Sequence, residues 1–284
     1  MEEVMENCLF VSDLHGKTGR YKTLFSVIRS EKPKAVFVGG DLLSGFGFPP
    51  EFILEVALSI QEIKKELAKV SPRVFIIPGN DDPGWIEEPL KNFENLGVWE
   101  YIHNRQVVFE DHRVFGYAFV PPTPFLLKDW EKYDVSRYVD PGCIPPEEGR
   151  HTQDVDAVNI QFSTIQDDLE RLTSNQNLEN SIFLFHAPPW NTKLDRAALD
   201  GISVDHAPLD PHIGSIAIRR FIENRQPLIT LHGHVHESSR LTGEWKQQIG
   251  RTWAFSAAHD GEELAMVRFN LESPGDATRE LISV

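Results

Sequence analysis

Short apolar runs alternate with helically spaced apolar positions along the first part of the chain. Cys8-Leu9-Phe10-Val11 reads as a buried strand that stops at Ser12-Asp13-Leu14-His15-Gly16. Residues 16–19 turn the chain, and Tyr21, Leu24, Phe25, Val27 and Ile28 then share one face of a helix over 20–30, which Pro33 ends. Ala35-Val36-Phe37-Val38 is a second strand, closed by Gly39-Gly40-Asp41. Phe52, Ile53, Val56, Ala57, Ile60, Ile63 and Leu67 mark a helix over 51–69 with a polar face of Glu and Lys. A third strand, Arg73-Val74-Phe75-Ile76-Ile77, closes on Pro78-Gly79-Asn80-Asp81-Asp82. This order predicts parallel strands joined by right-handed crossovers.

The pattern then loosens. Residues 85–96 predict a helix and 98–102 a short strand. Residues 106–110 and 113–119 predict a hairpin about Asp111-His112, a shift to antiparallel pairing. From 121 to about 157 no period holds, and Pro121-Pro122 and Pro145-Pro146 frame Trp130, Tyr133 and Tyr138. Such a segment is a lid or binding loop, or a surface excursion packed on its own aromatics. A helix over 159–172 follows, then a strand over 181–185 ending at His186 and a long loop over 187–213. A helix over 214–224 leads to a strand over 227–231, which ends in His232-Gly233-His234-Val235-His236. The remainder, including 251–257 and 263–270, predicts a β meander.

Five of these strands deliver metal-liking side chains at their carboxyl ends, the edge where open α/β sheets bind ligands. The candidates are Asp13, His15, Asp41, Asn80, His186, His234 and His236. Residues two apart on extended backbone project to one side, so Asp13 and His15 can face the same crevice. Singly, each is an ordinary loop residue, since an Asp after Gly-Gly commonly caps or turns. Five strands ending this way together point to one metal centre. Carboxylate, amide and imidazole donors admit Mn, Fe, Zn, Co or Ni. The absence of a cysteine among them argues against a structural zinc site. Asp41 has two oxygens and can bridge two ions. Two ions about 3.5–4 Å apart clamp a phosphoryl group and acidify a bridging water, whose hydroxide would attack phosphorus in line with the leaving oxygen.

Composition narrows the partners. The 284 residues allow one large domain or two small ones, with 40% hydrophobic residues for a core. Lys+Arg 28 against Asp+Glu 43 gives a net charge of −15, which argues against general nucleic-acid binding and against anionic membranes. Cys8 and Cys143 read as free thiols in a reducing compartment. The acidic amino-terminal residues do not form a signal peptide, and no apolar run approaches membrane-spanning length, so a cytoplasmic location is expected.

Together, Asp13-x-His15, Gly40-Asp41, Gly79-Asn80, His186 and Gly233-His234-x-His236 resemble the motif set of the calcineurin-like metallophosphoesterases, in that family's order and spacing. The resemblance implies a single α/β domain over 1–284, with two facing mixed β-sheets flanked by helices. It implies two divalent metal ions: Asp13, His15 and His236 on the first, Asn80, His186 and His234 on the second, Asp41 bridging. One position departs. The family's His after Asn, which contacts phosphate and can protonate the leaving group, is Asp81 here. A carboxyl serves there only if protonated, which needs a raised pKa. Other proton sources are His232, His206, His212 or a metal-bound water. Alternatively, the leaving group departs unaided, which favours activated esters or diesters.

The expectation is therefore a dimetal phosphoesterase for a small phosphorylated or nucleotide-like substrate, its pocket formed by 121–157 and the loop after His186. The rival is a metal-binding scaffold of the same fold that acts through protein binding. A nuclease is disfavoured by the charge balance. Among secondary candidates, the helix opening at Gly214-Ser215 could bind phosphate or simply be capped by Ser215. His259 and Asp260 could sit on the site rim.

Overall fold

The three apolar runs of the first half become β1 (Cys8–Val11), β2 (Ala35–Gly39) and β3 (Arg73–Ile77), linked by α1 (Thr18–Glu31) and α2 (Glu51–Leu67). The computed structural model describes residues 7–45, 49, 51–174 and 176–284, so the acidic stretch 1–6 lies outside the described residues. β1 pairs parallel with β2 and β2 with β3, which brings Phe10, Phe37 and Phe75 into register on one face. The other face carries Val38 and Ile76, packed by Leu24, Phe25, Ile53 and Val56 of the two helices. Side-chain alternation along each strand thus serves two apolar layers, as expected of buried parallel strands.

A 3-10 turn (Gly84–Ile86) precedes α3 (Glu87–Asn95). The strand expected over 98–102 pairs only as β4 (Glu100–Tyr101), beside β3. The hairpin is β5 (Arg105–Phe109) and β6 (His112–Tyr117). It turns one residue earlier than expected, because Glu110 takes a left-handed φ of 51° and His112 already pairs with Phe109.

The helix expected over 159–172 is two helices, α4 (Ala157–Phe162) and α5 (Ile165–Thr173). Thr164 is extended, and its hydroxyl accepts from the Asp167 amide at 3.1 Å, which starts a new helix where apolar spacing suggested one.

β7 (Ser181–Phe185) is followed by a short hairpin, β8 (Ser203–Val204) and β9 (Ala207–Pro208). Then come α6 (Ile216–Arg225), β10 (Ile229–His232) and α7 (Ser238–Thr242). The chain closes with β11 (Lys246–Ile249), β12 (Thr252–Ser256), β13 (Leu264–Phe269) and β14 (Thr278–Ile282). These last strands are not one meander. β12 lies parallel beside β10, whereas β13 crosses to the other sheet and runs antiparallel to β1.

Two six-stranded mixed sheets result, in the orders β14-β13-β1-β2-β3-β4 and β11-β12-β10-β7-β6-β5. Their inner faces share one core that includes Phe10, Phe37, Phe75, Ile182, Leu231 and Phe255. Phe255 meets Phe269 at 5.9 Å between ring centres, tying β12 to β13 across the gap. The outer face of the second sheet stacks Phe115 on Phe183 at 4.5 Å and is covered by Phe221 of α6 and Leu169 of α5. Among the described residues no helix is long and apolar enough to cross a membrane.

Candidate active site

The strand ends of both sheets meet at one edge. The Gly40 carbonyl accepts from the Asp13 amide at 3.0 Å, and the Asp41 carbonyl from the His15 amide at 2.8 Å. The Gly233 amide donates to the His186 carbonyl at 2.9 Å. The His234 amide donates to Asp13 Oδ1 at 3.0 Å, which joins the sheets. Asp13, His15, Asp41 and His234 sit in the left-handed region, with φ of 56°, 49°, 50° and 72°. That conformation costs a non-glycine residue about 1–3 kcal/mol and concentrates at functional sites.

The donor atoms converge. His236 Nε2 lies 3.1 Å from Asp13 Oδ1 and 3.0 Å from His15 Nε2, and His15 Nε2 is 3.8 Å from Asp41 Oδ2. One donor atom from each of Asp13, His15, Asp41 and His236 falls within 4.8 Å of the others, a spacing one ion can span. The second group forms on the other oxygen of Asp41. His186 Nε2 is 3.3 Å from Asp41 Oδ1 and 3.0 Å from Asn80 Oδ1. His186 Nδ1 contacts the Gly39 carbonyl at 2.8 Å, leaving Nε2 for the group. The rings of His186 and His234 are 5.4 Å apart.

The electrostatics fit a divalent cation. Asp13 and Asp41 are fully buried, which alone would raise their pKa values. The hydrogen bond and charge of His236, with the charges of His186 and His15, instead hold Asp13 well below the usual range. His186 likewise lowers Asp41 against burial. In return, against burial, Asp41 and then Asp13 push His186 up to about 10, and Asp13 pushes His236 up to about 9. A dication at this cluster would take over the charge balance that the raised imidazoles give the carboxylates. Burial, then the charge of Asp41, raises Asp81 to about 7. Its Oδ2 lies 3.5 Å from His15 Nδ1.

A cavity of about 410 Å³ opens on these donors. Its floor includes Asp41, Asn80, Asp81, His234 and His236. One wall comes from the irregular segment (Thr123, Phe125, Asp140, Cys143) and the other from the loop after His186 (Leu199, Val204, Leu209, Ile213). The irregular segment is fixed by polar ties rather than by periodicity. Glu131 accepts from the Thr123 amide at 2.7 Å and from Lys128, and Asp129 accepts from the Gly84 amide at 2.7 Å.

Other candidates lie elsewhere. His232 is no proton donor to the site. It is fully buried, with Nδ1 at 2.8 Å from the Ala187 carbonyl and Nε2 at 2.8 Å from Thr230 Oγ1, and its ring stacks on Phe185. Strand alternation explains this, because His232 shares the face of Thr230. His206 is exposed at the β8–β9 turn and does not line the cavity. His212 Nδ1 binds the buried Asp195 at 2.9 Å, so it orders its own loop. The α6 amino terminus is filled: Ser215 Oγ accepts from the Ile218 amide at 3.0 Å, and Asp134 accepts from the Ile216 amide at 2.6 Å. His259 pairs with Glu263 and Asp260 with Arg240, away from the cavity.

Three supporting residues escaped the sequence reading. Asp82 is buried and accepts from the amides of Leu42, Leu43 and Gly79 at 3.0, 2.7 and 2.9 Å, fastening the Asp41 turn to the Asn80 turn. Burial, then the Asp41 charge, pushes its pKa up to about 8 against those three donors. Ser12 Oγ donates to Asp13 Oδ2. Arg20 is buried and donates to the Asp13 and Gly261 carbonyls. A signal existed for Arg20, which falls on the Leu24–Ile28 stripe of its helix. Asp82 offered none beyond a polar turn.

The two mixed sheets flanked by helices are those of the metallophosphoesterase fold. The calcineurin-like phosphoesterase family matches residues 7–238, and the chain belongs to that family. Over 65 residues it is 40% identical to the uncharacterized protein MJ1162 of Methanocaldococcus jannaschii. That match takes in 22% of this chain and 26% of that protein, so the chain spans about a quarter of its curated relative. The crystal structure of TT1561 of Thermus thermophilus is similar at a TM-score of 0.62 and 13% identity, covering 98% of this chain and 99% of that one. A second solved structure matches at 0.62 and 16% identity with the same coverage. At such identities the likeness is one of fold.

Proposed function

We propose that this chain is a dimetal-dependent hydrolase that cleaves a phosphodiester, or an activated phosphomonoester, of a small or nucleotide-like molecule. The observation that carries this reading is the convergence of donors from five strand ends, of which Asp41, Asn80, His234 and His236 line the floor of one cavity. Asp13, His15 and His236 would hold one divalent ion and Asn80, His186 and His234 the other, with Asp41 between them. When bound, such ions stabilise charge on the phosphoryl oxygens and lower the pKa of an attacking water.

The chain's own groups supply the rest. The Asp81 amide donates to Asp41 Oδ1 at 2.8 Å and holds the shared carboxylate in place. The Gly39 carbonyl fixes the His186 ring. Asp81 lines the cavity, where burial favours the protonated form of its carboxyl. It is the group placed to protonate a departing oxygen. A carboxyl is a weaker substitute for an imidazole there, which suits leaving groups that are already acidic. The two loop walls orient the ester and exclude water.

Hydrolysis of p-nitrophenyl phosphate and bis(p-nitrophenyl) phosphate by protein stripped and reloaded with Mn tests the reading. Metal-dependent turnover, faster on the diester, is expected. No turnover of either ester with metal demonstrably bound would overturn it in favour of the scaffold reading.

A further inference from the structure

The cavity wall carries charge of one sign. Beyond Asp41 and the other metal-type donors, its charged lining is Asp81, Asp140, Asp210 and Glu237. Among the described residues no lysine or arginine lines it. Basic groups on the flanking segments are committed elsewhere. Lys128 is buried against Glu131 and donates to the Thr123 carbonyl at 2.8 Å, and Arg196 pairs with Asp200 at 2.5 Å. The rest of the wall is apolar, with Phe125, Pro141, Leu199, Val204 and Leu209. Phe125 is 58% exposed and Ile213 36%, so apolar surface continues out to the mouth.

Burial, then the charge of Asp210, raises the Asp140 pKa. The Asp210 carboxylate is held in position by the Trp190 indole N–H at 3.2 Å and the His212 amide at 2.8 Å. Any ester arm that extends from the donors into the cavity therefore meets carbon and carboxylate, with no cation to receive a second anion.

We propose that the site selects a singly charged phosphodiester with an uncharged apolar arm of aromatic size, and rejects esters that carry a further negative group, as nucleoside diphosphates and triphosphates do. This rests on the phosphoesterase reading and narrows it. The single phosphoryl charge is met at the strand-end donors. A second negative charge would stand against Asp140, Asp210 and Glu237 with no lysine or arginine in the wall to offset it, a built-in penalty against that ligand. An apolar arm gains from leaving water, and a cavity of this size accommodates it.

Titration calorimetry on the Mn-loaded protein tests this with dimethyl phosphate, diphenyl phosphate and phenyl 4-carboxyphenyl phosphate. Diphenyl phosphate is expected to bind about tenfold or more tightly than dimethyl phosphate, as for an apolar group entering an apolar pocket. The carboxylated ligand, of nearly the same shape, is expected to bind about tenfold or more weakly than diphenyl phosphate. Asp140→Asn should narrow that second gap, and Leu209→Lys should reverse its order. Equal binding of the three, tighter binding of the carboxylated ligand, or no binding of diphenyl phosphate overturns the proposal. Because binding is read apart from turnover, the outcomes separate. Diester hydrolysis with indifferent binding sinks only the selectivity. The expected binding order without hydrolysis sinks only the phosphoesterase reading.

Discussion

Asp13, His15, Asp41 and His234 hold a backbone conformation that L side chains rarely adopt, and the neighbouring hydrogen bonds maintain it. Asp82 supports the Asp41 turn, because its side chain accepts two amides from that turn and one from the Asn80 turn. Asp82→Ala should destabilise the fold by about 3 kcal/mol, given the cost of orphaned buried amides, and should weaken metal binding. Urea unfolding and metal titration check it, and an unchanged unfolding midpoint would contradict it. A second expectation concerns acid. Burial lowers His232 from 6.5 to about 4 and His103 from 6.5 to about 3. The unfolded chain takes up protons on both as the pH drops below 6.5, while the folded chain resists. The stability they contribute is thus complete above the unfolded pKa and is lost as pH falls through the folded values. Unfolding curves at about pH 7 and about pH 5 should show this loss, and His232→Gln should make it shallower; an equal slope in the variant would rule His232 out as a source. The donors themselves were legible because each follows an apolar run. The misplacement of His232 has a plain cause: it stands one residue before the Gly233-His234-x-His236 motif, still on the strand, where alternation turns it to the outer face of its sheet beside Phe185.

At the scale of elements, the site depends on turns that leave room for packed donors. Gly40 has φ of +97°, and a Cβ there would meet His186 Nδ1 at 2.6 Å and the Pro78 carbonyl at 2.7 Å. Gly40→Ala should therefore cost about 2–4 kcal/mol in strain and overpacking and displace the His186 ring. Calorimetric melting with metal analysis is the check, and wild-type metal content in the variant would contradict it. The strand–helix alternation up to Ile77 was legible because every element buries a periodic face. The irregular segment after Val120 was legible only as an absence of period. Its order comes from Lys128, Glu131, Asp129 and Thr123, side chains that bond across the loop and leave no repeating signature. The split of α4 from α5 is a cap overriding apolar spacing, and the separation of β12 from β13 reflects a choice of sheet that local pattern does not encode.

Across the whole molecule, two sheets bring their strand ends to one edge where Asp13 and Asp41 are buried together. A cation bound to the folded form alone should stabilise it by mass action. Chelated protein should melt about 5–10 °C below protein with metal in large excess. Equal melting temperatures would indicate that the cluster does not retain metal. Nothing in the periodicity dictated that the second set of strands forms a separate facing sheet. That expectation came from the resemblance to the calcineurin-like metallophosphoesterases, and the shared core of Phe75, Leu231 and Phe255 shows the packing that makes it stable. The most direct test of the central claim is hydrolysis of bis(p-nitrophenyl) phosphate by Asp41→Asn beside the unsubstituted chain, both Mn-loaded and both shown folded by circular dichroism. A loss of about a hundredfold or more is expected, at least what disturbing a metal ligand's support costs. Undiminished turnover in the variant would contradict the account.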